Sequence, residues 1–175
     1  MKKQKASPKK KNFLPVIAAV VVVAAAVAVL APKWFPKENT QADTAAAVTL
    51  SDDGSAVVID PAALSEEAAF YDYDADGITV ELFAVKASDG SARLALNTCQ
   101  ICNGSPYAYF VQAEDYFICQ NCLNRFASTQ VGLVSGGCNP VPITQEDYSL
   151  QDGTILIPTE FLEMNAARFT NWKNF

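Results

Sequence analysis

The residues best suited to chemistry in this chain are its cysteines. Cys99-Gln-Ile-Cys102 is followed, after sixteen residues, by Cys119-Gln-Asn-Cys122, and a fifth cysteine lies in Gly136-Gly137-Cys138-Asn139-Pro140. A two-residue gap lets both sulfurs of one tight turn, or knuckle, point at a single ion. A hairpin between the two knuckles brings the second to face the first. Cys99, Cys102, Cys119 and Cys122 are therefore candidate metal ligands. Their thiolates suit zinc, iron or an iron–sulfur cluster and disfavour magnesium or calcium. Two other readings stay open at this point: two structural disulfides with one free thiol, or a dithiol exchange pair, which the absence of a βαβ pattern disfavours. Cys138 sits in a turn-rich segment whose glycines permit close backbone approach. It is a candidate cofactor-binding residue, as a ligand or a neighbour of the centre, with a small buried apolar role as the alternative.

The 175 residues include no histidine. That excludes Ser-His-Asp and Cys-His nucleophiles, the HExxH zinc site and any histidine ligand. Neither knuckle is followed by His, which excludes covalent c-type haem attachment. The eight glycines form neither a dinucleotide-binding G-x-G-x-x-G nor a phosphate-cradling loop. No residue stands out as a substrate-level acid, base or nucleophile, so the chain does not read as an enzyme.

Positioning two knuckles requires strands joined by tight turns. Asp-Gly at 53–54, 76–77, 89–90 and 152–153 gives four strong turn signals. Between them, Ala56–Ile59, Ala68–Tyr73, Ile78–Val85, Ala92–Leu96 and Thr154–Ile157 read as strands, the middle three as a meander. Tyr107–Gln112 and Tyr116–Ile118 read as a hairpin around Ala113-Glu114-Asp115. Thr159 is expected to cap a brief helix through Asn165. Tyr107, Tyr109, Tyr116 and Phe117 flank the knuckles and are expected to pack in the core. Asp72-x-Asp74-x-Asp76-Gly77 resembles the start of a calcium loop, but Phe83 occupies the position of the bidentate Glu, so the segment reads as a polar hairpin turn. The fold class expected is mainly β: a small domain with paired Cys knuckles of the zinc-ribbon or rubredoxin-like kind.

The charge distribution divides the chain. Six lysines and no acid occupy residues 1–12, whereas positions 38–175 carry all 19 acids and five basic residues, a formal charge of −14. Such a surface repels nucleic acid. Between the blocks, Phe13–Ala31 is nineteen residues without a charge. As a helix at about 1.5 Å per residue it would nearly match the ~30 Å hydrocarbon core. The expected organisation is a basic cytoplasmic tail (1–12), a transmembrane anchor (13–31), a linker (32–47) and a β-rich metal-binding domain (48–175). Lysines in the tail, with Trp34 and Phe35 past the span, place the tail inside the cell membrane and the domain outside. A cleaved signal peptide at Ala26-Val27-Ala28 is the competing reading, and Pro32 disfavours cleavage after Ala31.

The order Phe83-Ala-Val-Lys86, Asp89-Gly90, Cys99-x-x-Cys102, a Gly/Tyr-containing hairpin, Cys119-x-Asn121-Cys122, Arg125-Phe126 and Gly136-Gly137-Cys138-Asn139-Pro140 resembles the FtrD-like family of membrane iron–sulfur proteins over roughly residues 56–143. The resemblance implies an iron–sulfur or iron centre, with zinc as the alternative metal. It also implies a membrane-bound role beside a redox or iron-transport partner, associated in some members with ferrous iron uptake. Many larger relatives carry several spans, and this chain shows one. Where the family usually has Gly after the second knuckle, this chain has Leu123. Leucine tolerates positive φ poorly, so the turn is expected to rearrange with Asn124 in the strained position. The function expected is electron transfer or iron handling. The alternative is an interaction module in which zinc is purely structural.

Overall fold

A computed structural model describes residues 45–175. The tail, the expected anchor at 13–31 and most of the 32–47 linker lie outside the described residues. Among the described residues no helix is long and apolar enough to cross a membrane.

The domain is mainly β. Its central sheet has the order β1 (Ala46–Ala47), β3 (Ala69–Ala75), β4 (Ile78–Lys86), β5 (Ala92–Cys99) and β9 (Pro140–Ile143). β1 runs parallel to β3, and the remaining neighbours are antiparallel. One three-stranded sheet is formed by β10 (Ser149–Gln151), β11 (Thr154–Pro158) and β2 (Ala56–Ile59). The other is formed by β6 (Phe110–Ala113), β7 (Tyr116–Cys119) and β8 (Arg125–Ala127). Among the described residues a single α-helix, α1 (Thr159–Asn165), precedes a 3-10 turn at Ala166–Phe169.

β4 explains the layering. Successive side chains of a strand point to opposite faces, and Val80 through Val85 are all buried, so both faces of this strand must be covered. Val80, Leu82 and Ala84 join Leu94, Leu96, Ile155, Ile157 and Leu162 in one core cluster. Phe83 and Val85 join Ala95, Phe110, Phe117 and Phe126 in the other. Phe83 stacks on Phe117 at 4.4 Å between ring centroids and contacts Phe70 at 5.7 Å. These aromatic contacts fix the knuckle-bearing hairpin to the central sheet.

The turn chemistry follows the sequence. Asp76 and Gly77 both have positive φ (52° and 86°), as a type I′ hairpin between Ala75 and Ile78 requires. Asp74 there accepts a hydrogen bond from the Gly77 N–H at 2.6 Å, which is the polar hairpin read in place of a calcium loop. Three expectations need correction. Thr159 is the first helical residue and not the cap. Pro158 holds the cap position without a side-chain bond, and the Thr159 hydroxyl reaches the Ser55 carbonyl. Ala46–Ala47, at the end of the segment read as linker, pair with Tyr71 and Asp72. Tyr107 and Tyr116 are about half exposed, and only Phe117 is a fully buried member of that aromatic set.

One charged group lies inside the domain. Glu81 is 3 % exposed. It accepts a short hydrogen bond from the Asn97 amide and pairs with Lys173 Nζ at 3.1 Å. The ammonium also lies over the Trp172 ring at 4.2 Å. Burial raises the Glu81 pKa above its ordinary value, and Lys173 and Asn97 oppose that rise. A carboxyl raised on folding is accommodated best when protonated, so its contribution to stability falls as pH climbs past the unfolded carboxyl range. Lys173 offsets that loss, and Lys173→Met keeps the aliphatic stem while removing the charge. The variant is expected to lose about 3 kcal/mol at pH 7, with the deficit shrinking near pH 4. Denaturant unfolding at both values checks this, and an equal deficit at both contradicts the ion-pair account.

Candidate metal centre

Strand parity places the cysteines. β7 alternates, with Phe117 and Cys119 buried between the outward Tyr116 and Ile118. Cys119, the last residue of that strand, thus faces the core beside Phe110, its cross-strand partner. Cys99 ends β5 in the same way, after an irregularity in pairing between Leu96 and Cys99. Such a bulge re-aims the strand end, and Cys99 joins Ala95 in the cluster that holds Cys119. The chain then turns, carrying Cys102 and Cys122 outward: Cys102 is half-buried and Cys122 exposed.

The two knuckles share one hydrogen-bond plan. The Asn103 N–H donates to the Cys99 carbonyl at 3.0 Å, and the Leu123 N–H donates to the Cys119 carbonyl at 2.8 Å. The Cys102 N–H points at Cys99 Sγ at 3.4 Å, and the N–H groups of Asn121 and Cys122 do the same for the Cys119 sulfur. Leu123 itself adopts φ 60°. The expectation that Asn124 would take the strained position is thereby corrected. Leu123 is 70 % exposed, so its side chain meets no packing obstacle, and Asn124 is used elsewhere.

That use is to hold the third loop. Asn124 Nδ2 donates to the Cys138 carbonyl at 3.0 Å. Gln100, inside the first knuckle, donates from its amide to the Pro140 carbonyl at 2.9 Å and accepts from the Gly136 N–H at 2.8 Å. Gly136 and Gly137 have φ of 88° and 72°, the left-handed region that a glycine pair enters without a Cβ penalty. Across the knuckles, the Ser105 hydroxyl donates to Asn121 Oδ1 at 2.7 Å. From the other side, Asn171 donates to the Gly104 carbonyl and the Lys173 N–H to the Pro106 carbonyl, both at 2.9 Å. Sequence reasoning missed these supporting residues. The one visible signal was the Gln that follows the first cysteine of each knuckle.

All five cysteines are free thiols. Cys99, Cys102 and Cys119 have sulfurs within 4.8 Å of one another, and so do Cys102, Cys122 and Cys138. The four expected ligands and Cys138 are thus drawn into two triads that share Cys102. Cys119 is lowered to about 5, chiefly because the Cys99 thiol donates to it, with help from backbone N–H groups; Cys99, as that donor and a buried group, is raised. Cys122 is pushed up to about 12, first by desolvation of its sulfur and further by the neighbouring thiols of Cys138, Cys119 and Cys102. Cys119 thus gives up its proton readily while Cys99 and Cys122 hold theirs, a conflict that a bound cation removes. Residues 99–113 contain no charged side chain, and 119–138 contain only Arg125. The donor set is therefore sulfur alone, which fits zinc, iron or an iron–sulfur cluster. Metal binding here must release protons, so affinity falls as pH falls.

The description "Membrane iron-sulfur containing protein FtrD-like" belongs to the family whose profile matches residues 64–169, more than half of the chain, and the chain belongs to that family. No curated protein and no solved structure matches it.

Two substitutions test the local geometry. Cys119→Ser is expected to weaken metal binding by more than about tenfold and to lower the melting temperature together. Unchanged metal content and melting would remove Cys119 from the site. Leu123→Gly is expected to stabilise the folded domain by about 1 kcal/mol, because glycine adopts that φ without the Cβ clash. A loss of stability in chemical denaturation would contradict the strain assigned to Leu123.

Proposed function

For a member of the FtrD-like family whose cysteines converge in this way, we propose an extracytoplasmic, membrane-anchored iron–sulfur or iron protein. Its role is that of an electron-transfer or iron-uptake accessory to a redox or iron-transport partner in the same membrane. The observation that carries this reading is the gathering of all five sulfurs into two joined triads, two of them buried and one exposed.

An iron centre bound there supplies one-electron chemistry at a potential set by ligands, hydrogen bonds and solvent access. The chain's own residues perform the rest. Cys99 and Cys119 hold the inner side, where burial excludes water. Backbone N–H groups of Cys102, Asn121 and Cys122 donate to sulfur and stabilise its negative charge. Cys122 and the exposed Ile101 and Leu123 beside the outer cysteines form the edge at which a partner approaches. The nineteen-residue apolar run, flanked by lysines on its N-terminal side, supports the anchor and its orientation. In this role the protein is a carrier and not an enzyme.

The full chain purified without oxygen is expected to be brown, to contain iron with acid-labile sulfide, and to bleach under dithionite. Colourless protein holding zinc would overturn the redox reading and favour the structural interaction module.

A further inference from the structure

We infer that the centre offers two metal positions in place of one: an inner position faced by Cys99 and Cys119, an outer position faced by Cys122 and Cys138, with Cys102 reaching both. This rests on the reading of the cysteine cluster as a metal centre and goes further, by assigning Cys138 and dividing the sulfurs.

Four thiolates around a single tetrahedral ion, each about 2.3 Å away, must lie about 3.8 Å from one another. Here the sulfurs that all lie within 4.8 Å of one another form two sets of three joined through Cys102, and although the Cys122 thiol also neighbours Cys119, no fourth cysteine enters either set. Five sulfurs are also one more than a single tetrahedral ion accepts. Divided through a shared thiolate, they give each of two thiophilic cations three sulfur donors. The remaining place at each is left to a donor from outside the chain, such as sulfide or water.

Each triad has its own supports, as expected if both are built positions. The inner one sits on the ends of β5 and β7, with Cys99 and Cys119 fully buried. The outer one depends on the Asn124 bond to the Cys138 carbonyl and on the Gln100 clamp across Gly136 and Pro140. A cysteine serving only as a small apolar residue needs none of these. The two positions also differ in access. The inner is enclosed, while the outer includes the exposed Cys122 and is the one from which an ion exchanges with solvent or a partner.

The test uses the full chain in detergent, reduced, stripped of metal and titrated anaerobically with cadmium. Thiolate-to-metal absorption reports sulfur-bound ions, and elemental analysis after gel filtration counts them. The wild type is expected to saturate at two cadmium ions per chain, and Cys138→Ser and Cys122→Ser at one each. A wild type that saturates at one ion overturns the inference without recourse to any variant, as does a folded Cys138→Ser chain that still takes two. The outcome is separable from the redox reading. One cadmium ion in a chain that is isolated with iron and sulfide removes the second position alone. Two cadmium ions in a chain isolated with zinc leave both positions standing and remove the redox role.

Discussion

The structure turns on the parity of two strand ends. β5 and β7 each finish on a cysteine that points into the same core cluster as Phe83 and Phe117. Because side chains alternate, a shift of either strand by one residue would turn its terminal sulfur to solvent and disperse the centre. The aromatic stack between β4 and β7 and the irregular pairing at the end of β5 fix that parity. From there each knuckle needs only one tight turn to bring a second sulfur to the outer edge.

Ionising buried thiols beside one another costs free energy unless something neutralises the negative charge they acquire on losing their protons. The protein places no carboxylate or ammonium in the knuckles themselves. It aims backbone N–H groups at the sulfurs and leaves the larger compensation to a cation. The fully buried carboxylate, Glu81, is instead matched by Lys173 from the C-terminal end, whose neighbours Asn171 and Trp172 bond to Gly104 and Asn97. The C-terminal segment thus braces the first knuckle from the side away from Cys138, and the site is held by elements far apart in sequence.

Much of this was legible from residues alone. Apolar runs bounded by turn residues marked β2 to β7 and β11, and the Asp-Gly pairs at 76–77 and 152–153 do place both residues at positive φ, as a type I′ turn requires. Both knuckles were visible through spacing, and the absence of histidine left cysteine as the expected donor. What escaped depended on tertiary pairing. β8, β9 and β10 are short, and β9 contains two prolines, so a local signal for a strand was missing. Ala46–Ala47 look like linker by composition and become strand only because β3 offers an edge. Leu123 defied its intrinsic preference: the hydrogen bond from its N–H to the Cys119 carbonyl fixes the turn, while Asn124 is held by Cys138. The division of five sulfurs into two triads could not be read from spacing, since Cys138 arrives on a separate loop.

X-ray absorption at the metal edge of the anaerobically purified full chain reports which atoms surround the metal. A first shell in which sulfur supplies most of the donors is expected. A shell containing nitrogen or oxygen as the main donors, or a chain without metal whose cysteines are joined in disulfides, would contradict it.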